Sequence, residues 1–170
     1  MRFCSSLLRG LLVALVVAAA GVASASASPP PQERFPVGSS TMQAAQDIAR
    51  QHWGTDPCGG AVEVVWTALP RLTNAMARWA SFGTPYAAPE RNVDCRVELN
   101  VAASYDVAKL CTVVVHEYGH LAGQPHRDGG DEVMSAVYSK ALPACEALAA
   151  AVEPPSSRRR GGAAVRSARR

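Results

Sequence analysis

Three of the chain's four histidines lie within eleven residues, in the pattern H-E-x-x-H-x-x-G-x-x-H that begins at His116. Residues four apart in a helix share a face, so His116 and His120 can direct their imidazoles at one metal ion. Gly123 can then end the helix with a positive φ at no steric cost, and the chain can turn back to bring His126 to the same ion. Three neutral imidazoles plus water are a typical ligand set of catalytic zinc. The spacing therefore predicts one zinc ion bound by His116, His120 and His126.

Glu117 is the acidic residue of this pattern and follows the first histidine directly. Successive helical residues are rotated by about 100°, so its carboxylate lies beside the metal and can reach a water molecule on it. There the carboxylate can take a proton as the water attacks a carbonyl carbon, and can pass that proton to the departing amine. The pattern therefore predicts peptide-bond hydrolysis, with Glu117 as the general base.

The extended pattern, followed eight residues after His126 by Met134, resembles the metzincin clan of zinc endopeptidases, and most closely its small, secreted, matrixin-like bacterial members. In that clan the three histidines bind zinc, the glutamate is the base, and the methionine belongs to a structural Met-turn. By resemblance these roles fall on His116, His120, His126, Glu117 and Met134. The resemblance also implies an α+β fold: a metzincin-like (zincin) domain with a small twisted mixed sheet, a long metal-binding helix, the Met-turn and a C-terminal helix. Arg127, after the third histidine, matches no subfamily, so the subfamily stays open.

Two alternatives to an endopeptidase also agree with the sequence. In a non-catalytic exported zinc-binding module the zinc would be structural, and structural sites normally have four protein ligands. Asp128 or Tyr138 would then complete the set, although such a site has no use for Glu117. Asp128 is also an alternative to His126 as third ligand, but at an unsuitable offset from Gly123. In a cell-surface binding protein, the arginine-rich C-terminal tail would be the functional part.

The chain divides into four segments by composition. Residues 1–27 have the positive start, apolar run and small residues of a secretory signal peptide, with cleavage near Ala25 or Ala27. A Pro-rich flexible leader is expected over 28–38, the zinc metallopeptidase domain over 39–153, and a disordered Arg-rich tail over 154–170. The apolar run is too short to span a bilayer, so the mature chain is expected to be secreted, without a transmembrane span.

The net charge of +3 misrepresents the domain. Two of the seventeen basic residues lie in the signal peptide and six in the tail, which leaves nine against fourteen acidic residues, a net charge of −5. A mildly acidic domain does not indicate nucleic-acid binding. The expected partner is a peptide or protein substrate of a monomeric enzyme, with a weak anionic cell-wall contact through the tail as a further possibility.

Four cysteines remain after the signal peptide, and an even number in an exported chain favours two disulfides. Sequence allows three pairings, of which Cys58–Cys95 and Cys111–Cys145 are preferred. A zinc–cysteine site is the rival interpretation, but no C-x-x-C pair supports it.

Periodicity and capping signals predict the elements around the site. We expect a helix over Thr41–Trp53, with Ser39, Ser40 or Thr41 as its cap, and strands over Ala61–Ala68 and Cys95–Ala103. The second strand alternates, with an apolar face and a polar face, which consist of Cys95, Val97, Leu99 and Val101 and of Arg96, Glu98 and Asn100, respectively. We also expect a short helix over Leu72–Trp79, a metal helix from near Ser104 with Asp106 in its first turn, and a terminal helix over Ser139–Val152 interrupted at Pro143.

Overall fold

The computed structural model describes residues 28–81, 86, 88–127 and 133–153. The predicted signal peptide and Arg-rich tail lie outside these residues. The described part is an α+β domain of four helices and one three-stranded mixed sheet. The helices are α1 (Pro31–Arg34), α2 (Ser40–Trp53), α3 (Val107–Leu121) and α4 (Pro143–Val152), and the strands are β1 (Glu63–Thr67), β2 (Ala75–Ala80) and β3 (Val93–Asn100).

Strand β3 is the centre of the sheet, with β1 parallel on one side and β2 antiparallel on the other. Its residues alternate as the sequence predicts: Val97 and Leu99 are fully buried in the core, whereas Arg96 lies on the outer face. That outer face carries the ion pairs Arg96–Glu63 and Arg78–Glu98. The charged face suits contact with water, and the apolar face packs against the helices.

The helix predicted over Leu72–Trp79 is wrong, because β2 occupies Ala75–Ala80. Alanine-rich sequence favours a helix locally, but this segment pairs along its length with β3, as in Ala77 with Val97. Backbone hydrogen bonds to a neighbouring strand outweigh a propensity difference of a few tenths of a kcal/mol per residue. The partner strand lies about twenty residues away in sequence, so the local pattern does not contain the deciding contact.

Helix α2 confirms its prediction. The Ser39 hydroxyl accepts a hydrogen bond from the Met42 backbone N–H (3.3 Å), and Gly54 ends the helix in the left-handed conformation. Its last residue, Trp53, donates its indole N–H to the Val115 carbonyl of α3 at 2.7 Å. This hydrogen bond fixes the end of α2 against the predicted metal helix.

Both ends of the domain differ from the sequence prediction. The expected flexible leader contains α1, and Phe35 directly after it is buried and accepts a hydrogen bond from the Trp66 indole. Arg34 also reaches the Tyr105 carbonyl at 2.9 Å. At the other end α4 begins at Pro143, because proline lacks a backbone N–H and suits the first turn of a helix, not its interior.

Two disulfides join the elements in the preferred pairing. Cys58–Cys95 connects the turn after α2 to β3, with Cα atoms 6.2 Å apart. Cys111–Cys145 connects α3 to α4, with Cα atoms 5.4 Å apart. Two such bridges are compatible with an extracellular protein. Among the described helices, none combines the length and the apolar character needed to cross a bilayer.

Candidate metal centre

Helix α3 is the core helix of the domain. It begins at Val107, three residues later than expected, because the Asp106 carboxylate is its N-cap and accepts from the Lys109 N–H at 2.7 Å. Leu110, Val114 and Leu121 are fully buried. A helix enclosed in this way holds its side chains in fixed directions, as a preorganised site requires.

The end of α3 turns the chain back toward the helix. Gly123 has a φ of +85°, which confirms the conformation predicted from the sequence. Its N–H donates to the His120 carbonyl at 3.0 Å, and the Gln124 N–H donates to the Gly119 carbonyl at 2.8 Å. A Cβ at position 123 would also lie 3.0 Å from Pro89 Cγ. Glycine is therefore required here for both its conformation and its size.

The turn brings the three predicted histidines together. The Nε2 atom of His120 lies 3.1 Å from that of His116 and 3.1 Å from that of His126, and the third distance is 3.2 Å. Among the described His, Cys, Asp and Glu residues, these three are the group that could hold a metal ion. Tetrahedral zinc with Zn–N distances of about 2.0–2.1 Å needs nitrogens about 3.3–3.4 Å apart. The observed triangle fits such an ion closely.

Hydrogen bonding fixes which nitrogens of the first two histidines carry lone pairs. The Nδ1 atom of His116 lies 2.6 Å from the Val133 carbonyl oxygen, and that of His120 lies 2.8 Å from the Gln124 carbonyl oxygen. A carbonyl can only accept, so each Nδ1 donates. Burial lowers the pKa of His116 and lowers that of His120 to about 4. Both rings are therefore neutral near pH 7, and each Nε2 presents a lone pair.

Two lone pairs that face each other at 3.1 Å repel, because neither nitrogen has a proton to share. A cation bound by the three nitrogens converts this repulsion into attraction. The backbone carbonyls that fix the two rings are the outer contacts expected around metal-binding histidines. The chemistry of the donor set thus fits a divalent metal ion.

Glu117 lies beside the three histidines and is only 5 % exposed. It lines the same cleft as His116 and His126. Burial raises the pKa of the Glu117 carboxyl to about 8, whereas a hydrogen bond with the backbone of Ala77 in β2 acts in the opposite direction. The carboxyl is therefore enclosed between α3 and the edge of the sheet, next to the position a metal would occupy.

Met134 is 2 % exposed and lies directly against α3. Its carbonyl accepts from the Arg127 N–H at 3.0 Å. A Cβ at Gly119 would lie 2.5 Å from the Met134 sulfur and 2.6 Å from the ring of Trp53. The methionine side chain and the indole together therefore require glycine inside the helix.

The remaining candidate ligands lie elsewhere. Tyr138 is half-buried and lines the cleft, with the Lys109 ammonium 5.7 Å from its ring centroid, and it is not part of the histidine group. His52 is exposed on α2, edge-on to Trp53. Asp128 lies outside the described residues.

A cleft of about 460 Å³ is lined by His116 and His126 of the histidine group. Its lining also comes from residues 72–74 and the first residue of β2, from the face of α3 that carries Glu117, and from residues 135–143. Leu72 is 97 % exposed at the rim. An elongated substrate segment could lie here with its backbone next to the metal site.

Sequence reasoning missed Asn100, which it assigned to the polar outer face of its strand. The side chain is fully buried, because the loop between β1 and β2 covers it. Its amide donates to the Thr73 carbonyl at 2.7 Å, and its oxygen accepts from the Ala102 N–H at 3.0 Å and the Leu69 N–H at 3.3 Å. Asn100 thus fixes one side of the cleft. Alternation along the strand contains no signal for this, since it cannot show which loop covers the outer face.

No protein-family model, curated protein or solved structure matches this chain.

Proposed function

We propose that this protein is a secreted zinc endopeptidase of the metzincin type, with His116, His120 and His126 as zinc ligands and Glu117 as the general base. The observation that carries the proposal is the convergence of three imidazole nitrogens within 3.2 Å of one another. Two of these nitrogens present lone pairs whose mutual repulsion a bound cation would relieve. A purely structural site would have no need of a buried glutamate in the adjoining cleft. Zinc is favoured because three histidines are a set typical of its catalytic sites.

When bound, zinc would polarise a substrate carbonyl and lower the pKa of a water molecule toward about 7. The residues of the chain supply the rest of the chemistry. Glu117 is held between α3 and β2, where burial raises its pKa to about 8. The positive charge of a bound metal ion beside it would lower that pKa and favour the carboxylate, which could then take a proton from the attacking water. Its protonated form then donates that proton to the amine of the broken peptide bond. The Nδ1 hydrogen bonds of His116 and His120 hold both rings in the tautomer whose Nε2 can bind the metal.

The sheet supports the assignment of a peptide substrate. Among the residues that the structure describes, strand β2 is an edge of the sheet, with β3 as its neighbouring strand, and Ala75 at its start lines the cleft. The other edge of β2 could offer backbone donors and acceptors to an extended peptide, which would add as a further strand. In metzincins an extended substrate pairs with the edge strand above the cleft, and this resemblance supports the proposal of a peptide substrate.

The test compares the parent chain with Glu117→Gln and with His52→Ala, a control histidine outside the site. With zinc supplied, the parent and the control are expected to cleave a mixed peptide library and to bind one zinc per chain. Glu117→Gln should bind the same amount of zinc but cleave at least about 100-fold more slowly, since general-base catalysis contributes about 10²–10⁴-fold. Equal cleavage by Glu117→Gln would refute the base assignment. Zinc binding without cleavage by the parent would instead favour a binding module.

A further inference from the structure

Residues 135–142, here termed the cleft wall, are a continuous segment of the cleft lining. Four of them, Ala136, Val137, Ser139 and Lys140, are exposed. A segment with this much contact with solvent is not held in place by its own burial. Contacts with α3 therefore contribute to its position, both at its two ends and at Tyr138, whose ring centroid lies 5.7 Å from the Lys109 ammonium.

Both ends of the cleft wall are attached to α3. At one end, the carbonyl of Val133, two residues before the wall, accepts the hydrogen bond from His116 Nδ1 at 2.6 Å. At the other end, the Leu142 N–H donates to the Thr112 hydroxyl at 3.0 Å. Thr112 and His116 are four residues apart and share a helix face, and both line the cleft. The wall is thus a loop whose two ends are attached to successive turns of the metal helix.

Thr112 is 4 % exposed, and its hydroxyl has two partners. It donates to the Ala108 carbonyl at 2.9 Å, which is common for a threonine within a helix. Its lone pair accepts from Leu142, which is the N-cap residue of α4. The neighbouring Cys111–Cys145 disulfide holds the next turn of α4 against α3. The disulfide therefore fixes α4, and the Thr112 hydroxyl fixes the end of the wall itself.

We propose that Thr112 is a positioning residue that sets substrate affinity and selectivity by holding the cleft wall in register with the metal helix. This inference rests on the proposed peptidase function, because it assigns the cleft to substrate. Thr112 contacts neither the three histidines nor the substrate backbone in this role; it acts through Leu142. Removal of the hydroxyl should loosen the wall and leave the metal ligands in place.

The experiment compares Thr112→Val, which keeps the branched shape but loses the acceptor, with Thr112→Ser, which retains the hydroxyl. Hydrogen exchange of residues 135–142 is measured in the zinc-loaded full chains, together with zinc stoichiometry, kcat and KM. Loss of a hydrogen bond whose partner stays buried lowers the equilibrium constant for the attached conformation by about a factor of ten. Thr112→Val should therefore raise exchange in the wall and raise KM by about threefold to tenfold, with kcat and zinc content retained. Selectivity should also fall in Thr112→Val. It is measured as the ratio of kcat/KM for the best library peptide to kcat/KM for an analogue with alanine directly after the cleaved bond.

Three results would overturn the inference. The first is that Thr112→Val changes neither hydrogen exchange in the wall nor KM. The second is that Thr112→Ser and Thr112→Val show equal changes in exchange and KM. The third is that kcat falls and zinc is lost in Thr112→Val. The last two would show that side-chain packing or the metal site, not the hydroxyl's hold on the wall, is affected. A zinc-loaded parent that cleaves no peptide would instead refute the proposed function, and the exchange measurement would still report whether Thr112 holds the wall.

Discussion

Substitution of Gly119 by alanine tests the packing beneath the metal helix, because two known effects oppose each other at this position. In an open helix, alanine is more stable than glycine by about 1 kcal/mol. Here the added methyl would lie 2.5 Å from the Met134 sulfur, 2.6 Å from Trp53 Cζ2 and 3.0 Å from Trp53 Cε2. These distances are too short for carbon contacts, so one or both neighbours must move.

The two neighbours differ in how easily they can move. The Met134 sulfur is on a flexible side chain and can shift. The indole is rigid and is held by its 2.7 Å hydrogen bond to the Val115 carbonyl, one turn before Gly119. Overpacking of a core costs about 1–3 kcal/mol. Over most of that range, this cost exceeds the gain in helix propensity. We therefore expect Gly119→Ala to lower the free energy of unfolding by about 1 kcal/mol.

Urea unfolding of the metal-free chain with its disulfides intact measures this free energy directly. Ala147→Gly, at an exposed position of α4, is the control for helix propensity and should cost about 1 kcal/mol. In a Trp53→Phe background, the smaller ring should relieve the clash, so that Gly119→Ala becomes neutral or stabilising. A double-mutant cycle should give a coupling of about 1 kcal/mol. If Gly119→Ala stabilises the parent as much as Ala147→Gly destabilises it, the packing argument is refuted.

Two further predictions concern stability. The Cys111–Cys145 and Cys58–Cys95 disulfides close loops of similar length, with sequence separations of 34 and 37. On the chain-entropy model, the free energy of unfolding should therefore fall by about 4 kcal/mol in each double variant, Cys111→Ala/Cys145→Ala and Cys58→Ala/Cys95→Ala. Peptide KM should rise more in Cys111→Ala/Cys145→Ala, and equal KM values would show that α4 does not influence the cleft. Burial raises the pKa of Tyr105 to about 12, from an ordinary value of 10.0. The unfolded chain therefore loses this proton first, so the stabilising contribution is complete below pH 10 and is lost as the pH rises toward 12. Unfolding of Tyr105→Phe should depend less on pH in this window, and identical pH profiles would contradict the assignment.

The grouping of the three histidines could be predicted from the sequence because its determinants are local. His116 and His120 are related by one helical turn, and Gly123 supplies the positive φ that returns His126 to them. The caps of α2 and α3 follow the same kind of local rule, in which a side chain accepts from a backbone N–H two or three residues later. The pairing of the cysteines also agreed with the sequence preference.

The cleft around that centre was decided by tertiary structure. Strand β2 was predicted as a helix, because its hydrogen-bond partners in β3 are distant in the chain. Asn100 was placed on an open face that the 69–74 loop in fact covers, and the expected flexible leader contributes Phe35 to the core. The sequence by itself therefore determined which atoms can bind a metal, since those atoms lie within three turns of one helix and its end. Only the tertiary structure decided what surrounds the three histidines, since the sheet edge, the covering loop and the cleft wall come from segments that meet through long-range contacts.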